Sequence, residues 1–270
     1  MYPILIQLGT FELRTYGIIV ALSFFLGLWL SAKEAKRKGL DPNLIQDFAF
    51  YALVGGIIGA RIYFVVFSNP SYFLQNPWEI LAFWHGGIGI IGALIGGLAT
   101  ALWYCRKYKL SFWNFADTLA PGVILAQAAG VFACLLNGDS YGKAADLAWA
   151  ITYTDPRSMA PLNIARHPVE IYEMAAYLLV FLLVWQTRKK YRTAGFVFLT
   201  YLAGYGAARF AVEFFRGNPA LFAWGIPAAQ VFGVALLLLA AAGFYLRGAA
   251  NEIDVQSEGK RARAGGQRRK

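Results

Sequence analysis

Seven stretches of this chain are long and apolar enough to cross a lipid bilayer, which excludes most folds open to a chain of 270 residues. A span needs about 20 mostly apolar residues to cross roughly 30 Å of hydrocarbon. Candidates lie at roughly 16–32, 47–67, 86–105, 118–136, 171–187, 195–212 and 226–246 by that rule. Tyr16–Leu30 and Ile226–Leu246 hold no charge; the second stretch carries Arg61 and the sixth carries Arg209. Composition agrees, because 58% of residues are hydrophobic and 15% charged, where a soluble domain has about half and a quarter. The expected fold is all-α: a polytopic membrane protein with about seven transmembrane helices. No basic segment precedes the first apolar run, so a cleavable signal peptide is not expected.

Lys and Arg favour cytoplasmic loops, and their placement sets the orientation. Basic groups follow the first span (Lys33, Lys36, Arg37, Lys38), the third (Arg106, Lys107, Lys109) and the fifth (Arg188, Lys189, Lys190, Arg192). More follow the seventh, from Arg247 to Lys270. Most of the 25 basic residues therefore fall on one side. The N-terminus is expected outside and the C-terminus in the cytoplasm. The net charge of +10 reads as topology and attraction to anionic lipid, not as nucleic-acid binding. Residues 1–247 form the expected transmembrane domain, with an external polar segment at about 137–170. Residues 248–270 form a polar, basic tail expected to be disordered.

Cys105 and Cys134 sit in or beside apolar spans and read as small hydrophobes. With two His, two Cys and no HxxxH or CxxC spacing, neither a metal site nor a cofactor is expected.

The remaining polar residues carry more information. In the seven-span arrangement Tyr16, Arg61, His85, Asn137, Asp139, the segment from Arg166 to Glu173, Arg209, Glu213 and Arg216 all fall near the outer leaflet. Ionisable groups at membrane depth cost several kcal/mol unless paired or hydrated, so they are functional candidates. Arg209, Glu213 and Arg216 share one helical face by their spacing of four and seven residues. Such a cluster either locks helix packing or presents Arg to a lipid phosphate, for which its planar fork is suited. His85 heads Trp84-His85-Gly86-Gly87 and is either an interfacial anchor or a base for a nucleophile. Gly55–Gly59 and Gly92–Gly97 read as helix-packing surfaces. Gly138-Asp139-Ser140-Tyr141-Gly142 fits GxSxG, yet no strand is expected before it, as a nucleophile elbow requires. An intramembrane protease with Ser140 and either His85 or His167 is the corresponding alternative.

Six segments together resemble the prolipoprotein diacylglyceryl transferase family, over about Met1 to Arg247. They are Arg14-Thr15-Tyr16-Gly17, Gly59-Ala60-Arg61-Ile62, Trp84-His85-Gly86-Gly87, Asn137–Gly142, Arg166–Glu173 and Arg209–Arg216, in that order. The resemblance implies an enzyme of the bacterial cytoplasmic (inner) membrane whose site faces the outer leaflet. Such an enzyme moves the diacylglyceryl group of phosphatidylglycerol to the lipobox cysteine thiol of a preprolipoprotein signal peptide, the first step of lipoprotein maturation. It implies Arg209 as the phosphate-facing arginine, His85 as the base and Tyr16 as a lipid- or substrate-facing hydroxyl. Glu213 and Arg216 become charge partners of Arg209. Asn137, Gly138 and Gly142 shape a polar turn, and Arg61 and Asp139 join the substrate-binding set.

One departure stands out. The family pattern Gly-Arg-x-Gly-Asn-x-x-Asn-Gly-Glu aligns with Gly130–Asp139, placing Val131 at the arginine, Cys134 at the first Asn and Asp139 at the Glu. A lost Arg–phosphate contact costs about 1.5–3 kcal/mol, and each ~1.36 kcal/mol on a barrier is tenfold in rate. The second reading is therefore a divergent, catalytically weak homologue that binds lipid or signal peptides. A compensating cation such as Lys143 or Arg61 would preserve activity.

Overall fold

The computed structural model describes residues 4–8, 11–68, 70–82, 86–87, 89–190 and 193–267, with residues from Gly248 onward as backbone only. The architecture is all-α. Seven long helices fall on the seven expected spans: α1 (Thr15–Arg37), α2 (Asn43–Phe67), α4 (Ile90–Lys107), α5 (Phe112–Asn137), α6 (Val169–Lys190), α7 (Phe196–Val212) and α8 (Ala228–Gln267). A short α3 (Pro70–Gln75) follows α2. Among the described residues, five helices are long and apolar enough to cross a membrane: α1, α2, α5, α6 and the Ala228–Arg247 part of α8. The other two are short of the ~20 residues a span needs, since α4 has 18 and α7 has 17. The expected third span loses its first residues because Gly86 and Gly87 take positive φ and Gly89 is extended. Leu22, Phe25, Leu53, Leu98, Leu179, Leu183, Leu238 and Leu239 are each more than half exposed. Side chains of this kind are interior in soluble proteins, and their exposure suits a surface set in lipid.

Two further features of the backbone accompany the seven helices. A small antiparallel hairpin, β1 (Ile4–Leu8) and β2 (Phe11–Arg14), precedes α1 and pairs Gln7 with Glu12. The backbone of α8 continues in helical geometry past Gly248 to Gln267, through a stretch containing several good helix formers (Ala, Glu, Gln, Lys, Arg).

The chain divides into two compact units: Leu28–Gly122, and Met1–Gly27 with Val123–Lys270. In the first, α2 and α4 pack through glycine. A Cβ on Gly59 would lie 2.4 Å from the Gly92 carbonyl oxygen, and one on Gly96 would lie 2.2 Å from that of Gly55. Small residues let backbones approach this closely inside a membrane. At the other end of these helices Tyr104, Phe48 and Phe115 stack around buried Ile45 and Cys105. The Tyr104 hydroxyl donates to the Leu44 carbonyl at 2.9 Å.

The second unit repeats this principle. Gly206 of α7 and Gly233 of α8 meet so closely that a Cβ on either would lie 2.7 Å from the other's carbonyl oxygen. Gly204 takes Val180 of α6 in the same way. Between α5 and α6 runs an irregular external segment with one two-residue pairing, β3 (Ile151–Thr152) with β4 (Ala165–Arg166). This segment and the ends of α5, α6 and α7 carry the site.

Candidate active site

Arg209 of α7 and Arg216, just beyond that helix, converge on one carboxylate of α6, Glu173. Glu173 accepts Nη1 of Arg209 at 2.5 Å and the Tyr177 hydroxyl at 2.6 Å on Oε1, and Nη2 of Arg216 at 2.9 Å on Oε2. Glu213 accepts Nε of Arg216 at 2.8 Å. The expected Arg209–Glu213 pair is weaker, at 3.9 Å, outside hydrogen-bond range. Arg209 turns instead to Glu173 on the neighbouring helix. The shared face of Arg209, Glu213 and Arg216 also has another origin than a continuous helix. α7 stops at Val212, tightens into a 3-10 turn over Glu213–Phe215, and leaves Arg216 extended. Two guanidinium and two carboxylate groups give a cluster of zero net charge. Charges taken out of water are tolerated only when paired and hydrogen-bonded in this way. Glu173, Glu213 and Arg216 are buried, while the Arg209 side chain keeps 21% of its surface exposed. Among the described residues, Nε and Nη2 of Arg209 make no hydrogen bond.

Beside this cluster lies the turn that ends α5. The Asn137 amide donates to Asp139 Oδ2 at 3.1 Å, and its carbonyl accepts the Met159 N–H at 3.1 Å. Gly138 has φ +72°, and a Cβ there would meet Ser158 Oγ at 2.3 Å. Gly142 forms a β-bridge with Arg216, and a Cβ on it would lie 2.2 Å from the His167 carbonyl oxygen. Backbone bonds from Lys143 to Phe215 and from Gly217 to Tyr141 complete this seam, both at 2.9 Å. The turn is thereby fastened to the residue that braces Glu173. Tyr16, 39% exposed at the start of α1, lies within electrostatic reach of Asp139 and Cys134.

Arg166 and Glu170 build the floor of the external segment. Nη1 of Arg166 donates to the Gly142 carbonyl at 3.0 Å, and its guanidinium lies over the Tyr141 ring. Buried Glu170 accepts the Tyr153 hydroxyl at 2.9 Å. Burial, and next the Glu170 charge, push the Tyr153 phenol above its ordinary range. Asp139 Oδ1, Glu170 Oε2 and Arg166 Nε are buried without a hydrogen-bond partner among the described residues. The GxSxG segment follows a helix, not a strand, and Ser140 makes no described hydrogen bond to His167. Val131 is half-buried on α5.

Arg61 belongs to the other unit and is buried there. It donates to the carbonyls of Ile80 at 3.0 Å, Gly86 at 2.6 Å and Gly87 at 2.9 Å, and to that of Glu79. Its guanidinium also lies against the Phe64 and Phe73 rings. These bonds hold the connection between α3 and α4, so the described geometry shows Arg61 organising backbone. His85, on that connection, lies outside the described residues.

The profile of the prolipoprotein diacylglyceryl transferase family matches residues 3–246. The chain belongs to this family. Among similar proteins, a phosphatidylglycerol–prolipoprotein diacylglyceryl transferase of Synechococcus elongatus is 36% identical over 222 residues, covering 79% of this chain and 76% of that protein. One of Synechocystis is 35% identical over 252 residues, covering 89% and 87%. One of Bordetella avium is 35% identical, covering 79% and 81%. Nothing in these likenesses favours the reading of a weak homologue. Sequence reasoning singled out the segment from Arg166 to Glu173 but gave no individual role to Arg166, Glu170 or Glu173, and it passed over Tyr153 and Tyr177. A signal for the two carboxylates was present: Glu170 and Glu173 are three residues apart at the mouth of a span, where ionisable groups are rare.

Proposed function

We propose that this chain transfers the diacylglyceryl group of phosphatidylglycerol to the thiol of a lipobox cysteine in a preprolipoprotein signal peptide. A carbon–sulfur bond forms at the glyceryl carbon, the bond from that carbon to the phosphate oxygen breaks, and glycerol phosphate leaves with the electron pair. The thiol proton passes to a base, for which His85 is the candidate. The observation that carries the reading is Arg209: partly exposed, hydrogen-bonded to Glu173 at one nitrogen, and with no hydrogen bond among the described residues along its Nε–Nη2 edge. Such an edge donates two parallel bonds to phosphate oxygens, where negative charge grows as the leaving group departs. Tyr16, Asn137 and Asp139 flank this site as polar contacts for substrate, and Gly138 and Gly142 shape the turn that bears them. Glu213 and Arg216 brace it, and Arg61 shapes the connection that bears His85.

The distribution of Lys and Arg supports a site on the outer side of a bacterial inner membrane, where a translocated signal peptide presents its cysteine. Complementation of cells depleted of their own transferase tests the reading. The unmutated chain is expected to restore lipoprotein modification, and only of precursors whose cysteine has been translocated. Arg209→Ala is expected to lose about a hundredfold or more of the rate. An expressed and inserted chain that fails to complement would end this reading.

A further inference from the structure

We infer that Glu173 is a positioning residue for the transfer, one that fixes which edge of Arg209 meets the phosphate. The inference rests on the function proposed above. A guanidinium offers its paired Nε–Nη2 edge or its Nη1–Nη2 end, and the two point in different directions. Glu173 occupies Nη1 at 2.5 Å. The end is thereby taken and the side edge is left for a ligand. Glu213 does not compete for that edge by hydrogen bonding, because Nη2 stands 3.9 Å from it.

Glu173 is itself held from three sides. Tyr177 donates to the same oxygen as Arg209, and Arg216 donates to the other oxygen. Arg216 is in turn tied to Glu213 and, through the β-bridge, to Gly142. The carboxylate is buried, so a lost partner would leave charge out of water and unpaired, at a high cost. Arg216, with Nε on one carboxylate and Nη2 on the other, acts as the brace and Arg209 as the hand. This division of labour is not visible in the sequence, where both are arginines beside one glutamate.

The geometry makes a split in kinetics. Replacing Glu173 by Gln removes one negative charge and leaves the cluster at a net charge of +1. Attraction for the anionic lipid is then kept or increased, while Arg209 loses its fixed orientation. Orientation matters most where charge develops in the transition state. Loss of packing alone would instead lower the amount of folded protein or raise KM.

The experiment uses the full chain purified in mixed micelles of phosphatidylglycerol with a lipobox peptide, comparing the unmutated protein, Glu173→Gln, Glu173→Asp and Arg209→Ala. Glu173→Gln is expected to lower kcat about tenfold or more without raising KM for phosphatidylglycerol. Glu173→Asp keeps the charge but withdraws the carboxylate by one methylene, and is expected to fall between. It also supplies the readout if the Gln variant fails to fold. A kcat within twofold of the unmutated chain in whichever variant folds, or a raised KM at unchanged kcat, overturns the inference and leaves the transferase reading standing. An inactive unmutated chain removes both.

Discussion

Gly142 shows how little room a single position leaves. Its α-hydrogen faces the His167 carbonyl, and an added methyl would approach that oxygen to 2.2 Å and Val169 Cγ2 to 2.7 Å. Neither neighbour is the far end of a flexible side chain. Gly142→Ala is therefore expected to push the turn away from Arg216, at a cost of about 1–3 kcal/mol. A lowered melting temperature together with reduced transferase activity would bear this out, and an unchanged melt would count against it. Helix spacing made Arg209, Glu213 and Arg216 legible, because it needs no knowledge of tertiary contacts. The same spacing found the longer Arg209–Glu213 ion pair but missed the closer partner, Glu173, because a carboxylate on another helix can approach without the constraint of a shared helical axis. Arg61 was legible as an unusual cation in a span, but its work on four backbone carbonyls depends on a connection whose path no periodicity reveals.

The helices were the most legible elements, since a bilayer demands continuous apolar runs and allows few alternatives. Their ends were less so. α4 begins at Ile90 because glycines upstream adopt conformations that a helix does not use. α5 begins at Phe112, earlier than expected, and contains buried Asp117, a residue that a hydropathy window places in water. The β1–β2 hairpin and the pairings within the external segment were not legible: they are short, and those of the external segment join residues far apart in the chain, such as Gly142 and Arg216. The glycine faces of α2 and α4 are a strong feature at this scale. Gly59→Leu would drive a branched side chain into the Gly92 carbonyl and the Gly96 backbone. It is expected to destabilise the α2–α4 pair by at least about 1–3 kcal/mol, seen as a lower melting temperature in detergent. Leu at Gly97, where an added Cβ meets nothing within 4 Å, is the control expected to change little.

For the whole molecule, the neutral four-residue cluster bears on assembly during synthesis. A lone charged side chain at the centre of a bilayer costs about 2.5–3.5 kcal/mol. α6 carries Glu170 and Glu173, and α7 carries Arg209, followed at once by Glu213 and Arg216. Each helix alone would bring uncompensated charge toward lipid, whereas the pair brings none from the four residues of the cluster. The few residues between Lys190 and Phe196 make the two helices consecutive and close in time as well as in space. α6 and α7 are thus expected to enter the membrane as a hairpin. A protease site placed at Lys190 should be more accessible from outside in a chain ending there than in one ending at Gly217, and equal accessibility would separate the pairing from insertion. The contacts that aim an arginine at its substrate in the finished protein would then also serve, earlier, as the condition under which that arginine is admitted to the bilayer.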